Sequence, residues 1–157
     1  RQYAATIHHL TACAEHLAQK ISTQRLKFVL CHGDIHGGNV LLGKNNSIYI
    51  VDWDDPVIAP KERDLMFIGA GVANVWNKLS EAKLFYKGYG KTEIDLPTLA
   101  YYRCERIIED IVLYAQQILF ANPEDQLRIK SYKHFIAQFE PKGVVEIALK
   151  TEAKLIL

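Results

Sequence analysis

A short strand-forming segment, residues 26–53, interrupts a sequence whose remaining pattern is helical, and it constrains the fold more than any other feature. The segment opens with the apolar run 28–30 and continues through a polar, glycine-bearing loop at residues 32–39. Two further apolar runs, 40–42 and 48–51, flank the sequence GKNNS, which is a good hairpin connection. The pattern predicts a small β-hairpin set into a helical domain.

Helical periodicity lies on both sides of this segment. Apolar residues recur at helical spacing over six stretches, namely 4–21, 63–78, 80–89, 96–120, 123–139 and 144–155. Pro97 and Pro123 stand near the starts of two of them, where the first helical turn tolerates proline. We therefore predict an α+β fold that is mainly helical.

Composition limits the class of protein. The chain has 157 residues, 49% of them hydrophobic and 24% charged, which is typical of one globular domain. A net charge of +1 gives no basic excess for nucleic acid, and apolar stretches such as 67–73 are too short to span a membrane. Cys13, Cys31 and Cys104 form no C-x-x-C pair, which predicts buried free thiols in the reducing cytoplasm.

The sequence HGDIHGGN, residues 32–39, has the spacing of a phosphoryl-transfer loop. Asp34 and Asn39 are separated as in the catalytic loop H-R-D-x-x-x-x-N, and Asp52 closes the hairpin. A hairpin of this length returns Asp52 to the side of Asn39, where carboxylate and amide oxygens suit Mg²⁺. Asp34 would accept a proton from a hydroxyl nucleophile. Taken singly, each residue also fits a turn or a strand end.

Two histidines lie in the same loop. His32 is predicted to hold the loop through hydrogen bonds, whereas His36 either contacts phosphate or substrate or packs as a structural side chain. A zinc site built from this pair is disfavoured because no further cluster of zinc ligands accompanies it.

The letters GDIHG at residues 33–37 also fit the opening motif of metallophosphoesterases, in which Asp and His bind two metals. That family next requires G-D-x-x-D-R-G and then G-N-H-E. Neither motif follows here, since the next acidic motif is VDWDD at residues 51–55. The sequence therefore favours a kinase over a hydrolase.

The loop at residues 32–39, together with DWD at 52–54 and PKERDL at 60–65, resembles the aminoglycoside phosphotransferase family over nearly the whole chain. This resemblance implies the C-terminal lobe of a protein-kinase-like fold, with the β-hairpin carrying the catalytic loop. It implies that Asp34 is the catalytic base and that Asn39 and Asp52 bind magnesium. It also implies that Asp64 supports the catalytic loop by accepting backbone N–H bonds, although an acid there could simply cap a helix.

Within the family, residues 50–69 and 85–94 are most similar to enzymes that phosphorylate an aminocyclitol antibiotic such as spectinomycin with ATP. Kinases of choline, homoserine or sugars have the same fold and remain alternatives. A cationic aminocyclitol would favour acids near the site. The available acids, which could equally form a solvated face, are Asp54, Asp55, Glu105, Glu109 and Asp110.

The sequence begins at Arg1, within a helical pattern, and no glycine-rich strand–loop–strand precedes it. It also has no strand lysine with a helical glutamate partner, the features that hold ATP in kinases. We therefore expect a C-terminal lobe without its nucleotide lobe. Such a chain would be inactive alone, or would be a non-catalytic binding module. It would leave apolar surface bare near the first helix and the hairpin and so promote self-association.

Overall fold

A computed structural model describes residues 2–72, 78–122 and 125–155. The helices are α1 (Ala4–Ser22), α2 (Glu62–Leu65), α3 (Leu79–Tyr89), α4 (Leu96–Phe120), α5 (Gln126–Ala137) and α6 (Val144–Ala153). The strands are β1 (Phe28–Cys31), β2 (Val40–Leu42), β3 (Ile48–Ile50) and β4 (Val57–Pro60), with short 3₁₀ helices at Gly37–Asn39 and Lys44–Asn46. The fold is α+β and mainly helical, as the sequence predicted.

Helix α4 is the centre of the helical core, and α1, α5 and α6 pack against it. It starts at the N-cap Asp95, whose carboxylate accepts a hydrogen bond from the backbone N–H of Thr98 at 2.9 Å. Its apolar face buries Cys104 and Ile107 against Leu10 of α1 and other buried side chains. Because this cluster joins both ends of the chain, it fixes the frame on which the polar loop is held.

All three cysteines are buried free thiols, in agreement with the prediction. The fold brings Cys13 of α1 and Cys104 of α4 together, with 3.5 Å between their sulfur atoms. Cys31 points its thiol at the carbonyl oxygens of Ala59 and Pro60, and burial raises the pKa of the Cys31 thiol to about 11. Among the helices of the described residues, none is long and apolar enough to cross a membrane.

The predicted hairpin is present, and a second antiparallel pair accompanies it. In the hairpin, Val40 pairs with Ile50 across β2 and β3. Strand β1 pairs with β4, with Phe28 opposite Pro60. The sequence did not predict β4, because it is short and ends in a proline, a residue that cannot donate to a ladder. This second pair carries the chain from the hairpin back to α2.

The predicted helix over residues 63–78 is wrong in its described part. Helix α2 ends at Leu65, and turns follow through residues 66–70. Gly69 and Gly71 have φ of 72° and 77°, which end helical geometry and which glycine adopts without steric cost. Residues 73–77 of this prediction lie outside the described residues. The buried apolar run that resembled a helix face, residues 65–68, instead packs as an irregular segment.

The other helices agree with their predictions within a few residues at the ends. Helix α5 starts later than the predicted residue 123, after the N-cap Asp125, whose carboxylate accepts from the backbone N–H of Leu127 at 2.8 Å. Residues 123 and 124 lie outside the described residues. Helix α6 ends at Ala153, and α4 spans the predicted Leu96–Phe120.

Candidate active site

The polar loop that follows β1, residues 32–39, is fastened to α2 through Asp64. One carboxylate oxygen of Asp64 accepts the backbone N–H of His32 at 2.8 Å, and the other accepts that of Gly33 at 2.9 Å. Gly33 has a φ of 86°, and a Cβ there would lie 3.2 Å from the backbone oxygen of Asp55. Glycine therefore permits both the backbone turn and the close approach of the segment after the hairpin.

The imidazole of His32 connects the loop to the end of β3. Its Nδ1 accepts a hydrogen bond from the backbone N–H of Asp34 at 3.3 Å. Because Nδ1 is an acceptor, Nε2 carries the proton and donates to the carbonyl oxygen of Val51 at 2.8 Å. The ring is buried and lies 4.6 Å, centroid to centroid, from the indole of Trp53. These contacts fix the loop relative to the residue just before Asp52.

Asn39 and Asp52 stand at the same end of the hairpin. The backbone N–H of Val51 donates to the carbonyl oxygen of Asn39 at 3.0 Å, so the ladder between β2 and β3 continues to this pair. Asp52 is the next residue, exposed, with a φ of 68° that non-glycine residues adopt rarely. The side-chain amide of Asn39 is buried and donates through Nδ2 to the backbone oxygen of Asp34 at 2.8 Å.

This end of the hairpin has the donor chemistry for a magnesium ion. Within residues 2–72, 78–122 and 125–155, no donor contacts Oδ1 of Asn39 and no cation pairs with Asp52. An amide oxygen and a carboxylate are hard ligands, and Mg²⁺ takes one or two carboxylates together with water and phosphate oxygens. In the part of the chain that the structure describes, no three His, Cys, Asp or Glu side chains cluster as metal ligands. The set therefore fits a cation that also uses substrate oxygens.

Asp34 has an ion-pair partner that the sequence analysis missed. Nη1 of Arg106, on α4, donates to Oδ1 of Asp34 at 2.7 Å. Arg106 also forms an ion pair with Asp110, with 3.2 Å from Nε to Oδ1, and lies 5.6 Å from the centre of the Phe67 ring. The one available signal was the pair of opposite charges at positions i and i+4 of the long helix.

Burial and charge act in opposite directions on this pair. Burial alone would lower the pKa of the Arg106 guanidinium, but the carboxylates of Asp110 and Asp34 outweigh it and raise that pKa. Burial raises the pKa of the Asp110 carboxyl, and the positive charge of Arg106 offsets part of the rise. The mutual attraction therefore outweighs the loss of water for Arg106 and offsets part of it for Asp110.

His36 lies on the other side of Asp34. Its Nδ1 accepts the backbone N–H of Gly38 at 3.0 Å, so the neutral ring carries its proton on Nε2. That Nε2 is 3.6 Å from Oδ2 of Asp34, which is an ion-pair distance but too long for a hydrogen bond. A Cβ at Gly38 would lie 2.7 Å from Cε1 of His36, so a side chain there would displace the imidazole.

A cavity of about 230 Å³ opens between this loop and the helices. His36, Arg106, Asp110 and Tyr114 line one part of it. Residues 71 and 72, the C-terminal part of α5 and the segment that leads into α6 line the rest. It is an open cleft beside the carboxylate of Asp34, since two partners of Asp34 belong to its wall.

The remaining predicted acids occupy different surroundings. Asp54 and Asp55 are exposed in the segment between β3 and β4. Glu105 accepts a hydrogen bond from the hydroxyl of Tyr101 at 2.6 Å and lies 3.7 Å from the guanidinium of Arg63. Glu109 is exposed on α4. The carboxylate of Glu105 is thus already engaged by protein groups, whereas those of Asp54 and Asp55 face solvent.

Comparison with known proteins gives a match to one family model and matches to solved structures. The model of the phosphotransferase enzyme family, APH, matches residues 2–102. The crystal structure of spectinomycin phosphotransferase, APH(9)-Ia, in complex with ADP and spectinomycin is 55% identical with a TM-score of 0.87, covering 96% of this chain and 46% of that chain. The AMP-bound complex of the same enzyme is 54% identical with a TM-score of 0.84, covering 94% of this chain and 45% of that chain.

The chain therefore spans less than half the length of these relatives, while nearly all of it is matched by them. The family match covers more than half of the chain and includes the loop, the hairpin and α2. With the contacts of Asp34, Asn39 and Asp64 described above, these findings lead to one conclusion: the chain belongs to the phosphotransferase enzyme family.

Proposed function

We propose that residues 1–157 are the C-terminal, acceptor- and metal-binding lobe of a two-lobed kinase. The kinase transfers the γ-phosphate of ATP to a hydroxyl of an aminocyclitol antibiotic such as spectinomycin. One observation carries the proposal: Asn39 contacts Asp34 on one side and Val51, the neighbour of Asp52, on the other. The relatives' complexes with ADP, AMP and spectinomycin support the choice of nucleotide and acceptor.

Asp34 is the proposed catalytic base. The acceptor hydroxyl gives its proton to the Asp34 carboxylate, its oxygen bonds to the γ-phosphorus, and the bond from that phosphorus to ADP breaks. Such a reaction needs positioning and charge neutralisation more than covalent chemistry from the protein. Asp64 and His32 supply the positioning, because Asp64 accepts the backbone N–H of Gly33 and the imidazole of His32 accepts that of Asp34.

Asn39 and Asp52 are the proposed ligands of Mg²⁺. The ion, when bound, would neutralise charge on the phosphates of ATP. Asn39 can present Oδ1 because its Nδ2 is fixed on the backbone of Asp34. Asp52 can present its carboxylate because it is exposed and its backbone already turns away from the strand.

The cavity beside Asp34 is the proposed acceptor site. An aminocyclitol carries ammonium groups, which favour nearby carboxylates, and Asp110 lies in the cavity wall. We propose substrate or phosphate contacts for His36, and substrate contacts for the exposed acids Asp54, Asp55 and Glu109. Glu105 would have to exchange its contacts with Tyr101 and Arg63 to take part.

The test requires a two-lobed protein that carries residues 1–157 as its C-terminal half. Asp34→Asn should lower phosphoryl transfer to spectinomycin by about 10²–10⁴-fold, the usual contribution of acid–base groups. Its affinity for ATP with magnesium should stay largely intact. Asp52→Ala should weaken both magnesium-dependent nucleotide binding and turnover, since it removes a charge beside the ion. Glu15→Gln, at an exposed position on α1, is the matched control and should retain activity.

Near wild-type turnover in Asp34→Asn would reject the catalytic assignment and favour a non-catalytic binding module. Parallel assays with choline, homoserine and simple sugars distinguish the acceptor class. Faster transfer to one of these than to spectinomycin would replace the aminocyclitol as substrate. The 157-residue chain alone should neither hydrolyse ATP nor transfer its phosphate, because the nucleotide-holding groups of kinases are not in its sequence.

We also propose that the isolated chain self-associates through its hairpin. The apolar side chains of this surface, which we call the hairpin patch, are exposed: Leu41, Leu42, Ile48, Tyr49 and Ile50. Leu42 and Ile48, which pair across the hairpin, are 81% and 65% exposed, and exposed apolar surface of this kind favours protein contacts. A separate proposal concerns location: the three free thiols support a reducing, cytoplasmic compartment for the protein.

A further inference from the structure

We infer that Arg106 is a positioning residue that holds Oδ1 of Asp34 and leaves Oδ2 as the atom that receives the acceptor's proton. The inference rests on the proposed function, in which Asp34 is the base. Asp34 and Arg106 are separated by 72 positions in the sequence, and the fold alone brings them together.

Arg106 is held on three sides. Asp34 binds Nη1 at 2.7 Å, Asp110 lies 3.2 Å from Nε, and the Phe67 ring lies under the guanidinium at 5.6 Å. These partners belong to the polar loop, to α4 itself and to the turn after α2. The planar guanidinium can meet two carboxylates and an aromatic face together, which a lysine ammonium cannot do. Asp110 and Phe67 thus hold Arg106 without the help of Asp34.

The two oxygens of Asp34 have different surroundings. Oδ1 accepts a short, charge-assisted hydrogen bond from Arg106. Among the described residues, the partner of Oδ2 is His36, whose Nε2 lies 3.6 Å away, and this distance leaves room for a hydroxyl donor. The Asp34 side chain is 39% exposed, so solvent can reach it, and both His36 and Arg106 beside it line the cavity. A carboxylate tethered at one oxygen presents the other in one orientation.

The carboxylate of Asp110 balances the positive charge of Arg106. Without it, Arg106 would bring an extra positive charge against the base and reduce its attraction for a proton. With Asp110 also beside the guanidinium, the three groups carry a net charge of one negative unit, the same as an isolated carboxylate. Arg106 therefore orients Asp34 while the net charge of the three groups stays at one negative unit, as for a single carboxylate.

The test compares Arg106→Met, Arg106→Lys, Asp34→Asn and the double variant Arg106→Met with Asp34→Asn in the two-lobed protein. Misplacing a catalytic group by about 1 Å can cost about 10²-fold, so kcat of Arg106→Met should fall by about that factor. KM for ATP should not change, since Arg106 contacts no proposed metal ligand. Arg106→Lys should recover part of kcat. In the Asp34→Asn background, Arg106→Met should cause no further loss.

A merely structural role for Arg106 would give a different pattern. It would lower kcat by the same factor in both backgrounds, and that result overturns the inference. The matched control is Arg103→Lys, which alters a buried guanidinium on the same helix that binds the carbonyl oxygens of Met66 and Ile68 and the hydroxyl of Thr151. This control should lower the melting temperature and leave kcat unchanged.

A structural measurement keeps the inference testable even if transfer is absent and the proposed function fails. Crystal structures of the wild type and of Arg106→Met should differ in the side-chain rotamer of Asp34, since the methionine cannot donate to Oδ1. An unchanged Asp34 rotamer would overturn the inference without reference to activity. If Arg106→Met does not fold because Asp110 is left unpaired, Arg106→Met combined with Asp110→Asn removes that unpaired charge and serves in its place.

Discussion

The two hydrogen bonds that the polar loop donates to the Asp64 carboxylate give the sharpest stability prediction. In Asp64→Ala, the backbone N–H groups of His32 and Gly33 lose their acceptors, which now lie at 2.8 and 2.9 Å. Both residues are buried, so water replaces the carboxylate poorly. Hydrogen bonds to a charged group contribute about 1.5–3 kcal/mol each. Since Asp64 itself is only half-buried, we take the lower values and expect a loss of about 3 kcal/mol for the two.

This loss has a measurable size in a chain of 157 residues. A change of 1 kcal/mol shifts the melting temperature by about 2–4 °C at this size, so Asp64→Ala should melt about 6–12 °C lower. Asp64→Asn keeps one acceptor oxygen and turns an NH₂ group towards the other N–H. It should therefore lose about half as much free energy of unfolding as Asp64→Ala, or somewhat more.

Urea unfolding followed by circular dichroism measures the free energies of unfolding directly. Asp54→Ala is the matched control, because the Asp54 side chain is exposed between β3 and β4, and surface changes usually stay within about 0.5 kcal/mol. A loss below about 1 kcal/mol in Asp64→Ala would refute the reasoning, since leaving two buried donors without a charged acceptor should destabilise the fold by more than that. An equal loss in the control would refute it as well.

Two further predictions concern the core and the hairpin. Leu10→Ala removes a fully buried side chain between α1 and α4 and should lower the free energy of unfolding by about 2–5 kcal/mol. Thermal or urea unfolding checks this value, and a loss clearly below about 2 kcal/mol, the lower end for a buried leucine, contradicts the packing. Leu42→Glu in the hairpin patch should reduce self-association of the isolated chain in sedimentation velocity. A wild-type chain that stays monomeric at high concentration contradicts the proposed association.

Local sequence signals predicted the helices and the hairpin well. Helix α4 agrees with its prediction at both ends, since Asp95 and Pro97 mark its start by chemistry that acts within one turn. The hairpin agrees because its turn and the alternation of its strands are also local. The helix predicted over residues 63–78 is wrong from residue 66 to residue 72, where turns and the positive φ of Gly69 and Gly71 replace helical geometry.

The candidate site also has a part that the sequence predicted and a part that it did not. The sequence alone determined which residues gather at the hairpin, because Asp34, Asn39 and Asp52 are placed by one loop and one turn. Only the tertiary structure decided that β1 pairs with β4, and that Arg106 on α4 reaches Asp34. Those contacts join segments far apart in the chain, and no pattern of neighbouring residues encodes such a pairing. They form because the helical core around α4 brings its charged side chains to the polar loop.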